Sequence, residues 1–105
     1  MAAANPPVAL VTGASRGIGR AIAQALAARG ARVAVHYAAR RDAADETLAA
    51  LTGTGHAAFA ADVADPAACE RLVADVTAHF GRLDVLVNNA GIYEDDAIKT
   101  ASYAD

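Results

Sequence analysis

Short apolar runs alternate along the chain with longer segments in which apolar residues recur every three or four positions. Residues 8–12 form the first run, and its almost continuous apolar character is typical of a parallel strand covered on both faces. Further runs predict strands at residues 32–37, 57–61 and 83–87, although the third run is rich in alanine, a poor strand former. The pattern therefore predicts four strands.

Helices are predicted in the first two intervals between these strands. The apolar face of the first helix consists of Ile18, Ala21, Ile22, Ala25 and Leu26. Gly30 is well placed to end this helix. Asp42 is a candidate cap for the second helix, which Gly53 and Gly55 would end. The shared face of the second helix consists of Ala44, Thr47, Leu48 and Leu51.

A third helix is predicted before the last strand. Asp65 suits its N-cap and Pro66 its first position, because proline has no N–H to leave unpaired there. Gly81 is expected to end the helix. Its apolar stripe consists of Cys69, Leu72, Val73, Val76 and Phe80.

Strands that alternate with helices in this way indicate an α/β fold with a doubly wound parallel sheet. Right-handed crossovers favour the strand order 3-2-1-4, which makes strands 1 and 4 neighbours whose connections leave in opposite directions. Ligands bind at such a point, beyond the carboxyl ends of the strands. The two unusual motifs of the chain, at residues 12–19 and 88–91, both fall there.

Composition narrows the class of protein. The 105 residues suffice for one domain, and a net charge of −3 argues against a nucleic-acid or anionic-membrane surface. Charged residues interrupt every apolar run before the length of a membrane span. Residues 1–10 lack the basic and long apolar regions of a signal peptide, so a cytoplasmic location is expected. Residues 1–7 suit a disordered lead-in. The single Cys69 excludes an internal disulfide and fits a reducing compartment.

Three glycines, Gly13, Gly17 and Gly19, follow the first strand and open the first helix. Glycine lets the backbone turn sharply and lets a ligand approach without a β-carbon in the way. The N–H groups and partial positive charge of a helix N-terminus stabilise phosphate. The spacing G-x-x-x-G-x-G differs from the commoner dinucleotide fingerprint, and a ligand-free turn is the alternative.

Three motifs together resemble the classical short-chain dehydrogenase/reductase family. They are TGASRGIG at residues 12–19, Asp62-Val63, and NNAG at residues 88–91. The resemblance covers residues 8–105, and its details are similar to the 3-oxoacyl-carrier-protein reductase type. It implies that residues 8–105 form part of a Rossmann-type domain that binds NAD(P).

The resemblance also implies roles for individual residues. Backbone N–H groups of the glycine turn would line the pyrophosphate and the adenosine ribose, Asp62 would accept a hydrogen bond from the adenine amino group, and Val63 would lie beside the ring. The turn contributes Gly13, Ser15, Arg16, Gly17, Ile18 and Gly19. Along the ribose on the nicotinamide side would lie Asn89, Ala90 and Gly91, while Asn88 is expected to join neighbouring strand ends.

The end of the second strand bears on the choice of cofactor. An NAD-specific site places a carboxylate there to bind the ribose hydroxyls, but this chain has Tyr37 followed by Ala38. Arg16, Arg40 and Arg41 offer guanidinium groups to a 2′-phosphate, although one of the last two suits a solvated surface charge. These residues predict NADP(H) in preference to NAD(H).

Members of the family carry a Tyr-x-x-x-Lys pair and a serine in their second half, and this sequence contains no such pair. Lys99 and Tyr103 have the reverse order, and Tyr93 is followed four residues later by Ala97. The resemblance therefore implies the cofactor half of a reductase, cut after its fourth strand and inactive alone. The whole protein would be a homo-oligomer that acts on a small carbonyl or alcohol.

Two other functions remain open on the sequence. A non-catalytic dinucleotide-binding module would need no second half. A methyltransferase-like nucleoside binder also uses a glycine turn, but residues 88–91 disfavour it.

The remaining polar residues indicate no further site. The three histidines, His36, His56 and His79, lack the spacing of metal ligands. Cys69 suits packing, and Asp84 suits a strand-end carboxylate that faces solvent.

Overall fold

Four parallel strands form one sheet with helices on both of its faces, and the computed structural model describes residues 5–90 of the chain. The elements are β1 (Val8–Val11), α1 (Gly17–Ala28), β2 (Arg32–Tyr37), α2 (Arg41–Ala50), β3 (Ala57–Ala60), α3 (Pro66–Phe80) and β4 (Val85–Val87). The strand order is β3-β2-β1-β4, and every pair is parallel. The predicted fold class and the predicted order 3-2-1-4 are confirmed.

The side chains of the central strands separate the core into two layers, because successive residues of a strand point to opposite faces. Val11, Val33 and Val35 pack with small residues of α1 and α2. Leu10 and Ala34 pack on the other face with residues of α3 that include Leu72 and Val76. The continuous burial of β1 predicted from its apolar run follows from this double cover.

Helix α1 lies on the sheet with a different face from the predicted one. Its buried residues are Gly19, Ala23 and Ala27, whereas Ile18, Ala21 and Ala25 are exposed. Ile22 and Leu26 pack at the border of the core. The smallest side chains face the sheet because the start of this helix must lie against the glycine turn and the end of β4.

Helix α2 begins differently from the prediction. Arg40 occupies the N-cap without a side-chain cap, and Asp42 lies inside the first turn. The Asp42 carboxylate accepts two hydrogen bonds from the Arg40 guanidinium, at 3.0 and 2.9 Å, and therefore does not cap the helix.

Helix α3 has the predicted ends. The Asp65 carboxylate accepts a hydrogen bond from the Ala67 N–H at 3.0 Å, Pro66 begins the helix, and Gly81 ends it with φ at 82°. The apolar stripe is narrower than predicted, because Val73 is exposed. Val73 instead lines a cleft whose walls include Leu86 of β4.

Asp84 is exposed, as expected, and it has a structural role as well. Its carboxylate accepts hydrogen bonds from the Val8 N–H and from the Arg82 guanidinium, both at 2.8 Å. These contacts hold the pKa of Asp84 below its ordinary value, and the hydrogen bond from Arg82 has the larger effect. Asp84 therefore joins the start of β1 to the segment before β4. Strand β4 itself is shorter than the predicted 83–87, because it begins at Val85.

Within residues 5–90, no helix is both long enough and apolar enough to cross a bilayer.

Candidate functional site

The end of β1 meets the end of β4 through one hydroxyl group. Thr12 Oγ1 accepts hydrogen bonds from the Asn89 N–H at 2.8 Å and from the Ala90 N–H at 3.0 Å. The Thr12 N–H donates to the Val87 carbonyl at 3.0 Å, and Thr12 Oγ1 lies 3.3 Å from Asn88 Oδ1. The glycine turn and the asparagine segment therefore lie together at the carboxyl edge of the sheet, as predicted.

The turn and the asparagine segment are in such close contact that no β-carbon fits between them. Asn89 is 1% exposed, and its Nδ2 donates to the Gly13 carbonyl at 3.1 Å. A β-carbon on Gly19 would lie 2.6 Å from Asn89 Nδ2 and closer still to the Gly13 carbonyl oxygen. Gly13 itself has φ at +64°, in the left-handed region that favours glycine. Asn89 therefore has a clear structural role at this junction.

The main-chain N–H groups of the turn fall into two sets. The Gly13 N–H donates to His36 Nδ1 and the Ala14 N–H to the His36 carbonyl, each at 2.9 Å. These two N–H groups are therefore bound within the protein, and the role of Gly13 toward a cofactor stays a prediction. The N–H groups that find no acceptor among residues 5–90 belong to Ser15, Arg16, Gly17, Ile18 and Gly19.

These unpaired N–H groups are at the N-terminus of α1, where the helix dipole adds partial positive charge. Arg16 occupies the N-cap, is exposed, and forms no ion pair within the described part of the chain. Donors, a helix dipole and an unpaired guanidinium together form a setting that favours a phosphate.

Two residues that the sequence analysis did not assign to the site hold the carbonyl groups of the turn. Thr47 Oγ1 lies 2.9 Å from the Ala14 carbonyl oxygen and 3.1 Å from that of Ser15. The Arg20 guanidinium donates to the Ser15 carbonyl at 2.6 Å and to Thr47 Oγ1 at 2.8 Å. The only signal in the sequence was a polar Thr47 on the apolar face of its helix.

The segment after β2 carries the predicted basic residues, but acidic neighbours bind both of them. Arg40 pairs with Asp42, and this guanidinium lowers the pKa of Asp42 to about 2. Arg41 pairs with Asp45 at 3.0 Å, and its guanidinium lies 5.8 Å from the centre of the Tyr37 ring. No carboxylate occupies residue 37 or 38, and Tyr37 is largely buried.

Asp62 and Val63 follow β3 at the same edge of the sheet. Asp62 is exposed, and its Oδ1 accepts a hydrogen bond from the Ala64 N–H at 3.0 Å, which shapes the loop. Val63 lines a cleft of about 370 Å³ whose other walls include Asn88 and Ala90. Their assigned roles toward adenine and ribose stay predictions.

One predicted site residue, Gly91, lies outside the described part of the chain. So do Tyr93, Lys99 and Tyr103, which do not have the order of the family's catalytic pair. A second cleft, of about 430 Å³, lies at the opposite end of the sheet beside Gly30 and His56 and includes none of the predicted site residues.

A family model described as short chain dehydrogenase matches residues 7–105. The chain belongs to the short-chain dehydrogenase family. The resemblance inferred from the three motifs is thereby confirmed.

Two relatives in this family are reductases. Versicolorin reductase 1 of Aspergillus parasiticus is 53% identical over 87 residues, which is 81% of this chain and 33% of that protein. The 3-oxoacyl-(acyl-carrier-protein) reductase of Synechocystis sp. is 50% identical over 97 residues, or 90% of this chain and 39% of that protein. The chain thus spans between about 33% and 39% of the length of these curated relatives.

Solved structures of the family have the same fold. A short chain dehydrogenase of Burkholderia cenocepacia J2315 in complex with NADP is 40% identical with a TM-score of 0.79, over 93% of this chain and 49% of that one. A blue fluorescent protein from a metagenomic library, in complex with NADPH, is 44% identical with a TM-score of 0.78, over 86% of this chain and 38% of that one.

Proposed function

We propose that this sequence supplies the cofactor-binding half of an NADP(H)-dependent oxidoreductase, which interconverts a small carbonyl compound and its alcohol. Residues 8–105 are the dinucleotide-binding part, and residues 1–7 precede it. The observation that carries the proposal is the set of unpaired N–H groups at the start of α1, beside the unpaired Arg16. Relatives named as reductases and two neighbours solved with NADP or NADPH support it.

In this proposal, the N–H groups of residues 15–19 bind the pyrophosphate. Arg16 and Arg40 bind the 2′-phosphate, with Tyr37 beside the ribose that carries it. Asp62 and Val63 hold the adenine. The nicotinamide side of the cofactor runs past Asn89, Ala90 and Gly91, while Gly13 leaves room for the bend.

When bound, the nicotinamide supplies a hydride to the substrate carbonyl or accepts one from the alcohol. The chain's own part is to hold the dinucleotide: amides and a helix dipole neutralise the pyrophosphate, and guanidinium groups select the 2′-phosphate. The 105 residues contain no Tyr-x-x-x-Lys pair. We therefore expect them alone to bind cofactor without turnover, and the whole enzyme to be a homo-oligomer.

Dissociation constants for NADPH and NADH, measured by fluorescence titration of the whole protein, test the proposal. We expect tighter NADPH binding, and we expect Arg16→Ala to weaken NADPH binding more than NADH binding. Arg29→Ala is the control, because Arg29 is an exposed arginine at the opposite end of α1. Equal or tighter NADH binding would refute the preference, and absence of binding to both would refute the function.

A non-catalytic dinucleotide-binding module is the second candidate, because the unpaired N–H groups at the start of α1 and Arg16 concern the dinucleotide site alone. A reading frame that continues past Asp105 into a Tyr-x-x-x-Lys pair would decide for the enzyme.

A further inference from the structure

A histidine side chain connects the glycine turn to the loop after β3. His36 is 1% exposed and is among the largest fully buried side chains of the described residues. Its Nδ1 is 2.9 Å from the Gly13 nitrogen, and its Nε2 is 2.8 Å from the Ala61 carbonyl oxygen. Ala61 directly precedes Asp62 and Val63, so a single imidazole connects two of the segments that the proposed function assigns to the cofactor.

These two contacts define the protonation state of the imidazole. The Gly13 N–H is a donor, so Nδ1 must present a lone pair. The Ala61 carbonyl is an acceptor, so Nε2 must carry the hydrogen. His36 is therefore the neutral tautomer with its hydrogen on Nε2. A second proton would place an N–H on Nδ1 directly against the Gly13 N–H.

We propose that His36 is a positioning residue that holds the glycine turn against the loop after β3 only while its imidazole is neutral, so that acid weakens cofactor binding. The inference rests on the proposed function, because it concerns the same site. Protonation would break the Gly13 bond and place a charge in the core, and the turn would have to move.

Few charged groups are placed to oppose this effect. The strands β1 and β3 beside His36 carry no titratable residue. Helix α3 covers the same face through Ala68, Leu72 and Val76. Its titratable groups on this side are Cys69, whose thiol donates to the Val63 carbonyl, and the exposed His79, whose ring packs edge-on against Phe59, the β3 neighbour of His36. The neighbouring loops carry Asp62, bonded to the Ala64 N–H, and the exposed Arg16.

Burial also favours the neutral form. It holds the pKa of His36 below the ordinary 6.5, although the bond to the Ala61 carbonyl acts in the opposite direction. The unfolded chain therefore takes up this proton at higher pH than the folded protein does. Stability is fully present above pH 6.5 and falls as the pH drops below it, so binding must be compared where the protein stays folded.

His56 provides a matched control within the same sheet. Its Nδ1 accepts a hydrogen bond from the Val33 N–H at 3.0 Å, and its Nε2 lies 2.8 Å from the Thr52 carbonyl oxygen. This is the same pattern of contacts at the opposite end of β2. Replacing His56 therefore removes equivalent hydrogen bonds without touching the proposed cofactor site.

The experiment compares the whole wild-type protein with His36→Asn and His56→Asn. An asparagine Oδ1 can still accept from the Gly13 N–H but does not titrate. Dissociation constants for NADP⁺ and NAD⁺ are measured from about pH 8 to about pH 5, around the range in which histidine changes charge. The 2′-phosphate also titrates near pH 6, and comparing the proteins at each pH cancels that contribution.

We expect the affinity of wild type, relative to His36→Asn, to fall by about fivefold or more across this range. His56→Asn should follow wild type. A constant ratio between wild type and His36→Asn would overturn the inference, as would an equal change in His56→Asn.

A readout that needs no cofactor separates this inference from the proposed function. In NMR spectra of the free protein, we expect the Gly13 amide to titrate together with the His36 imidazole. If the NMR signal of the Gly13 amide does not change as the His36 imidazole titrates, the inference is overturned, even if His36→Asn does not fold. A coupled titration without binding of either nucleotide supports the role of His36 in the turn and overturns the proposed function.

Discussion

At the scale of single residues, the balance of charge after β2 bears on the choice of nucleotide. Arg40 is the basic residue of this segment that we assign to the 2′-phosphate, yet Asp42 already binds it through two hydrogen bonds. Both side chains are mostly exposed, so the ion pair is weak and can exchange for a better partner. A carboxylate beside the site nevertheless repels the phosphate that we expect to bind.

The variant Asp42→Asn should therefore bind NADPH more tightly, by about two- to fivefold, because it releases Arg40 and removes the repulsion. NADH binding should change little. Fluorescence titration with both nucleotides measures the effect, and Asp75→Asn, an exposed position on α3, controls for the change in net charge. A gain of equal size for NADH would contradict the proposed contact with the 2′-phosphate.

Gly19 determines how closely α1 approaches the strand ends. In the variant Gly19→Ala, the new β-carbon would clash with the Gly13 carbonyl and with Asn89 Nδ2. We expect the free energy of unfolding to fall by about 1–3 kcal/mol and cofactor affinity to fall with it. Chemical denaturation and nucleotide titration measure the two effects.

Gly30→Ala is the control for a loss of stability alone. Gly30 has φ at +98°, and a β-carbon on it would meet no atom of residues 5–90 within 4 Å, so alanine there strains the backbone far from the site. Unchanged cofactor affinity in Gly19→Ala would show that the close packing at the turn is unnecessary for binding.

At the scale of elements, the hydroxyl of Thr12 aligns the ends of β1 and β4. It accepts from two consecutive backbone N–H groups, those of Asn89 and Ala90. Those N–H groups are at least partly buried, so water could not readily replace the hydroxyl as their hydrogen-bond acceptor. The placement of the asparagine segment therefore depends on a side chain from the neighbouring strand.

The variant Thr12→Val keeps the shape of the side chain and removes the acceptor. We expect the free energy of unfolding to fall by about 1–3 kcal/mol, because two N–H groups lose their partner. Thr77→Val is the matched control, since the exposed Thr77 hydroxyl only donates to the Val73 carbonyl. If denaturation experiments show an equal loss of unfolding free energy in the two variants, the Thr12 hydrogen bonds stabilise the protein no more than that of the exposed Thr77.

At the scale of the whole molecule, the sheet of the described residues ends at β4 with apolar side chains exposed. Leu86 is 56% exposed and Val85 41% exposed, and both lie on a strand that, within residues 5–90, pairs only with β1. Open edges with apolar residues favour pairing between chains. Since the chain spans about 33% to 39% of its reductase relatives, this edge is where we propose that further structure adds.

We expect the 105-residue chain by itself to associate as its concentration rises, and Leu86→Lys to suppress the association. Analytical ultracentrifugation measures it. Ile18→Lys is the control, because Ile18 is exposed to the same 56% but lies away from the edge. Equal suppression by the two variants would indicate nonspecific hydrophobic association. A monomer at every concentration would contradict the prediction.

The sequence by itself determined the order of elements, the class of fold and the family. Those features depend on local patterns: apolar runs, Asp65 and Pro66 at the start of a helix, and glycines that few other residues can replace. The parallel order followed because the handedness of crossovers leaves few arrangements.

Only the tertiary structure decided which atoms remain available to a ligand. His36 and Thr47 bind the amides and carbonyls of the turn from elements distant in sequence, Arg20 binds a carbonyl of the turn from the helix that follows it, and Asp42 binds Arg40 instead of capping its helix. The buried face of α1 likewise depended on how near Gly19 comes to Asn89. Hydrogen bonds and close contacts between distant segments leave no periodic trace in the sequence, because their geometry exists only once the chain has folded.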